Sequence, residues 1–207
     1  ELKLKTDFTA MLVHDLGNPL NSIVSYSDRL KEAPKKENIE KTTEIISKSA
    51  GTMLELIHDM LDISKFEAGK MELFKEKESL EMVVNDTVVL ITPLLQKRDL
   101  ELILDFKSLP SIKFDSLRIK QVVHNLISNA IKFSPKGSKI LVEIEQESNE
   151  LITKVIDKGP GIPKEELSNL FKAFKTTSLK PINGEKGTGL GVAISKKIIE
   201  SHNGKIG

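Results

Sequence analysis

His14 is followed directly by Asp15, and Asn18 and Asn21 lie one and two helical turns further on. At 100° per residue, Phe8, Leu12, Leu16, Pro19, Ile23 and Leu30 form an apolar stripe within an arc of about 80°, and His14 sits about 200° from its centre. The imidazole therefore faces away from any partner helix. A neighbouring carboxylate can hold the Nδ1–H of such a ring and leave the Nε2 lone pair free to attack an electrophile.

Three further stretches carry residue types suited to polyphosphate. In Gln121–Ser134, Asn125 and Asn129 fall i,i+4 on one helix face, with Lys132 one turn on. Amide oxygens are neutral hard ligands that suit Mg²⁺ while it keeps most of its waters, and a lysine there would neutralise phosphate charge. Asp157-Lys-Gly159-Pro-Gly161 closes an apolar strand. An ionised Asp at a strand end can accept from the exocyclic amine of adenine, and the glycines let backbone approach the ring. In Gly187-Thr188-Gly189-Leu190-Gly191, glycine-rich backbone opens a helix and presents free N–H groups to phosphate. It lacks the Lys-Ser/Thr of a P-loop, and Val192 stands where a dinucleotide fingerprint needs its third glycine. Between the last two motifs, Thr176–Lys186 is polar and without period, as suits a mobile lid.

Composition narrows the setting. The 207 residues hold 31 Lys and Arg against 30 Asp and Glu, so no electrostatic footprint for nucleic acid or an acidic membrane is expected. Cysteine is absent, which excludes disulfides and thiolate metal sites and fits a reducing cytoplasm. The histidines at 14, 58, 124 and 202 have no zinc-site spacing. The longest apolar run, Val88–Leu95, is interrupted by Thr92 and Pro93, far short of the roughly 20 residues of a membrane span. The N-terminus shows no signal-peptide pattern.

Positioning these residues requires two kinds of element. After Ala33-Pro34, a second helix carries a heptad register in which Ile39, Ile46, Met53 and Met60 recur every seven, as do Thr43, Ala50, Ile57 and Ser64, with Leu54 and Leu61 widening the stripe. Two such helices make an antiparallel hairpin, and burying stripes this wide calls for dimerisation into a four-helix bundle. Ala68-Gly69-Lys70 stops the second helix. Beyond it the periods mix: strands near 71–75, 100–106, 111–114, 140–145 and 151–156, and helices near 80–97, 116–133 and 188–202. That interleaving predicts an α+β sandwich. The expected domains are 1–69, a dimerisation and phosphotransfer hairpin, and 70–207, an ATP-binding α/β sandwich.

Taken in order, these motifs resemble those of the sensor histidine kinases over nearly the whole chain. His14-Asp-Leu-Gly-Asn-Pro-Leu-Asn-Ser-Ile is similar to the phosphoacceptor box, Asn125–Phe133 to the N box, Asp157–Gly161 to the first Gly box, Phe171-Lys-Ala-Phe174 to the F box and Gly187–Gly191 to the second Gly box. The resemblance implies a homodimer that uses ATP to phosphorylate His14 and passes the phosphoryl group to an aspartate of a response-regulator receiver domain. It implies that Asn129 holds Mg²⁺, that Asn125 and Lys132 contact the phosphate side, that Asp157 recognises adenine, and that Asp15-Leu-Gly-Asn18 carries a phosphatase activity on the partner. It places the reaction in the cytoplasm, on a soluble piece of what is expected to be a larger membrane-bound sensor. An ATPase clamp of the gyrase or chaperone type would instead carry a Glu at position 125 and no His-bearing hairpin. A non-catalytic nucleotide-binding scaffold would not need His14, Asn129, Asp157 and the glycines intact. This chain departs from the family's commonest forms in Gly17-Asn18, where Arg-Thr is usual, and in Lys175-Thr176, which replace an aromatic-Arg pair. Relatives continue past position 207 into a terminal strand pair, so those strands are expected to be missing here.

Overall fold

The computed structural model describes residues 2–32, 36–106, 109–173, 175, 177–179, 181–182 and 188–207, with side chains described from residue 13 in the first helix and from 38 in the second. Two compact units meet between Gly69 and Lys70.

The first unit is a helical hairpin of α1 (Leu2–Glu32) and α2 (Lys36–Glu67). Pro19 lies inside α1, which runs on through it. Having no N–H, Pro19 leaves the Asp15 carbonyl without its usual i+4 donor. Leu16, Pro19, Ile23 and Leu30 are half-buried, in keeping with the first stripe. The side chains of Phe8 and Leu12 lie outside the described set. In α2, Ile46, Met53 and Met60 are half-buried, but their companion row differs from the predicted one. Thr42, Leu56 and Ile63 are buried and Ser49 half-buried, whereas of the predicted row only Ala50 is half-buried and Thr43, Ile57 and Ser64 are exposed, as are Ile39 and the Leu54 and Leu61 read as widening the stripe. Positions i−4 and i−3 flank a heptad position on opposite sides. Apolar residues occur on both sides here, so periodicity alone could not choose between them.

The second unit layers three helices on a mixed sheet. Strands β2 (Glu101–Phe106), β4 (Lys139–Glu147) and β5 (Glu150–Ile156) lie in the order β2-β4-β5, with β2 and β4 parallel and β4 and β5 antiparallel. A separate ribbon pairs β1 (Glu76–Glu78) with β3 (Ile112–Phe114) antiparallel, Glu76 opposite Phe114. Helices α3 (Leu80–Arg98), α4 (Ser116–Phe133) and α5 (Gly191–Ser201) complete the unit, α4 packing between the other two. The core is aliphatic: Ile140, Val142 and Ile144 of β4, Val84 and Ile91 of α3, Ile127 and Ile131 of α4, and Ile194 and Ile198 of α5 are all buried.

Two boundaries correct the sequence reading. Residues 71–75, predicted as a strand from their apolar members, are irregular, and the strand is the all-charged Glu76-Lys-Glu78. Its backbone pairing to β3 needs no apolar alternation. The last helix begins at Gly191 rather than Thr188, because Gly189 takes φ +70° and breaks the helical path. Helix α3 runs through Pro93 and ends as the spacing predicts, its C-cap Asp99 in the left-handed region, with the Asp99 and Leu100 N–H groups reaching the Gln96 and Leu95 carbonyls.

Asp115 joins three parts of this unit. One carboxylate oxygen caps α4 by accepting from the Arg118 N–H at 3.0 Å, and the other accepts from the Phe74 N–H at 3.0 Å. The Asp115 N–H donates to His202 Nε2 at 3.0 Å, and His202 Nδ1 lies 2.8 Å from the Ile198 carbonyl. A carbonyl only accepts, so His202 carries its proton on Nδ1 and offers the Nε2 lone pair to Asp115. Lys75 adds a bond from Nζ to the Ser201 carbonyl at 2.9 Å. Asp115→Ala removes a cap and the partners of the Phe74 and Arg118 N–H groups. Urea titration should show a loss of about 2–4 kcal/mol.

Candidate functional site

Helix α1 has three distinct faces. The half-buried stripe occupies one. A second, made by Val13, Leu20 and Val24, is apolar but exposed, and lies about 100° around the helix from the first. The third bears His14, Asn18 and Asn21, all exposed. The His14 side chain is 72% exposed and its Nδ1 stands 2.9 Å from Asp15 Oδ1. An ionised carboxylate only accepts, so Nδ1 carries a proton, and in the neutral form of the ring Nε2 keeps an open lone pair. Asn18 follows one turn on, and its backbone carbonyl accepts from Ser22 Oγ at 3.2 Å.

In the second unit the motifs predicted to bind nucleotide gather around α4. Its inner face, Ile119, Val122, Val123, Ile127, Ala130 and Ile131, is buried at a/d-like spacing. This leaves Asn125, Asn129 and Lys132 half-buried together on the other side. Asn125 Nδ2 donates to the Gly191 carbonyl at 3.2 Å and to Ser195 Oγ at 3.4 Å, which ties α4 to the first turn of α5. The Lys132 carbonyl accepts from the Ile182 N–H at 3.2 Å, joining α4 to the polar segment read as a lid.

Asp157 follows β5 directly and is exposed. Its Oδ1 accepts from the Gly159 N–H at 2.6 Å, so the turn itself orients the carboxylate and leaves the second oxygen for a ligand. A Cβ at Gly159 would meet that Oδ1 at 2.7 Å and the Phe133 carbonyl at 3.1 Å. The turn therefore lies against the C-terminal end of α4, and a side-chain carbon there would push the Asp157 carboxylate out of its place. Gly161 is exposed, with φ +73°. Further on, Thr188 Oγ1 accepts from the Leu190 N–H at 3.2 Å, and Leu190 is fully buried. Leu190 thus anchors the glycine-rich turn from below while Gly189 and Gly191 carry its backbone past the N-terminus of α5. Gly187, Phe174 and Thr176 lie outside the described residues.

Four contributors were not singled out in the sequence. Ser195 is fully buried beside Asn125. Lys196 Nζ lies 5.2 Å from the Phe171 ring centroid, linking α5 to the F-box segment. Asp115 and His202 form the joint described above. Of these only Asp115 carries a local signal, as an Asp immediately preceding a helix.

The arrangement matches known families. Residues 4–69 match the His Kinase A (phospho-acceptor) domain, and residues 114–207 match the histidine kinase-, DNA gyrase B- and HSP90-like ATPase domain. A "Non-motile and phage-resistance protein" of Caulobacter vibrioides is 39% identical over 210 residues, covering 98% of this chain and 25% of that protein. Among solved structures, the Acinetobacter baumannii histidine kinase AdeS superposes with a TM-score of 0.73 at 27% identity, covering 91% of this chain and 86% of that one. The histidine kinase ThkA in complex with the response regulator protein TrrA gives a TM-score of 0.70 at 25% identity, over 98% of this chain and 57% of that one. The chain belongs to the sensor histidine kinases. It spans about a quarter of the length of the curated relatives it matches. No helix among the described residues is long and apolar enough to cross a membrane.

Gly159→Ala tests the Asp157 turn, because the added carbon displaces the carboxylate it contacts. Calorimetry with a non-hydrolysable ATP analogue should show affinity reduced about tenfold or more, with circular dichroism unchanged.

Proposed function

We propose that this chain is the catalytic core of an ATP-dependent protein-histidine kinase that phosphorylates His14. The observation that carries this reading is the exposed imidazole whose Nδ1–H is held by Asp15, because it directs the Nε2 lone pair of the neutral ring to an incoming electrophile. Nε2 attacks the γ-phosphorus of ATP, the bond to the β,γ-bridging oxygen breaks, and ADP leaves. The imidazolium formed is stabilised by the Asp15 carboxylate through the same 2.9 Å contact. Support for ATP comes from the ATPase family match and from the convergence of Asn125, Asn129, Lys132, Asp157 and the Thr188–Gly191 turn around α4. Asp157 would accept from the adenine amine. Lys132 would neutralise phosphate charge, and Gly189 and Gly191 would offer backbone N–H groups beside it. Two neutral amides on one face of α4 suit Mg²⁺, with Asn129 as its ligand. That ion would neutralise charge on the β- and γ-phosphates.

The hairpin would work as a homodimer. Val13, Leu20 and Val24 on α1 and Leu54, Ile57 and Leu61 on α2 are exposed apolar rows at helical spacing, which a second hairpin would cover in a four-helix bundle. The phosphoryl group would then pass to the aspartate of a receiver domain, as the ThkA–TrrA complex suggests by likeness, in the cytoplasm where ATP is available. Asn18, on the reactive face one turn from His14, would orient the water that hydrolyses the partner's phospho-aspartate.

His14→Gln should abolish acid-labile, alkali-stable labelling from γ-labelled ATP while leaving nucleotide affinity within about twofold. Residual labelling near the wild-type level would move the acceptor elsewhere. Asn18→Ala should keep self-labelling and slow the decay of a phosphorylated receiver by about tenfold or more, the low end of what positioning a reactant contributes. Equal decay with both proteins would reduce Asn18 to a solvated helix residue.

A further inference from the structure

The Asn125 carboxamide has both of its hydrogens spoken for. The Gly191 carbonyl, 3.2 Å from Nδ2, can only accept. Ser195 Oγ donates to that same carbonyl at 2.8 Å, so what the hydroxyl offers Asn125, 3.4 Å away, is a lone pair. Two acceptors on one side fix the amide with its NH₂ towards α5. The oxygen is the group left to meet a ligand. Ser195 is fully buried one turn into α5, and Asn125 is half-buried on the polar face of α4.

We propose that Ser195 is a positioning residue for the nucleotide site: by accepting from Asn125 and donating to the Gly191 carbonyl, it locks the Asn125 oxygen outward, so that the site binds nucleotide as its Mg²⁺ complex. The proposal rests on the reading of this face as the ATP site. An outward amide oxygen is an acceptor only. It can ligate a cation or take a hydrogen bond from the cation's water, but it cannot donate to a phosphate oxygen. Without the hydroxyl, one Asn125 hydrogen loses its partner and the inward-NH₂ state is favoured by a single bond. Rotation of the amide then places a donor where the cation needs an acceptor. Groups that orient metal-site ligands typically matter at the level of ten- to a hundredfold in affinity, and a neutral amide that keeps one of two bonds belongs below that range.

The test measures AMPPNP binding to the whole chain by calorimetry, with Mg²⁺ and with EDTA, for wild type, Ser195→Ala, Asn125→Ala and the double variant. Ser195→Ala, which only removes an oxygen, should weaken binding about three- to tenfold in Mg²⁺ and leave binding in EDTA unchanged. In the Asn125→Ala background the same substitution should have no further effect, since the group it positions is gone. A loss of equal size in Mg²⁺ and EDTA would overturn the proposal, as would an equal loss in both backgrounds. So would wild-type affinity in Ser195→Ala. Wild type that binds AMPPNP in neither condition would overturn the nucleotide reading itself, and this proposal with it.

Discussion

The second unit is organised by the demand that α4 serve two environments at once. Its inner face fills the core with branched aliphatic side chains, while its outer face carries the polar Asn125, Asn129 and Lys132. A helix satisfies both because residues three and four apart share a face, so the two sets interleave without mixing. Everything near the site takes its position from this helix. The Asp157 turn lies against its C-terminal end, α5 is bonded to Asn125, and the segment around Ile182 reaches the Lys132 carbonyl. Its N-terminus is fixed in turn by Asp115, which brings the start of the unit and the end of α5 to the same point.

Glycine has separate uses in this site. At 159 the reason is space, since a side-chain carbon would collide with the carboxylate that the turn orients and with a helix carbonyl. At 189 the reason is backbone conformation, since a left-handed residue there delays α5 until Gly191. The turn before α5 is therefore not the helix's first turn. It is a short loop anchored by buried Leu190 and by the Thr188 hydroxyl.

Much of this was legible in the sequence because it is periodic. The polar face of α4, the solvent-facing position of His14 and the alternating strand β4 follow from spacing alone. The Asp15 contact followed from adjacency. What escaped reading depends on partners distant in the chain. The bond between Asp115 and His202 spans 87 positions, and that between Asn125 and Ser195 spans 70. Neither residue type is unusual where it stands. Strand β1 was misplaced because its register is set by main-chain pairing to β3, to which three charged side chains contribute no pattern. The companion row of α2 was misread for the opposite reason: apolar residues lie on both flanks of the heptad positions, and only packing selects one.

The three faces of α1 have a consequence for how such a chain can diverge. The half-buried residues that hold the hairpin, the exposed apolar row and the polar residues beside the His14 ring occupy separate sectors of one cylinder. A substitution in one sector leaves the side chains of the other two untouched. Changes on the face of His14 can thus accumulate without loosening the hairpin, so that two such chains can share one fold and yet present different surfaces around that ring.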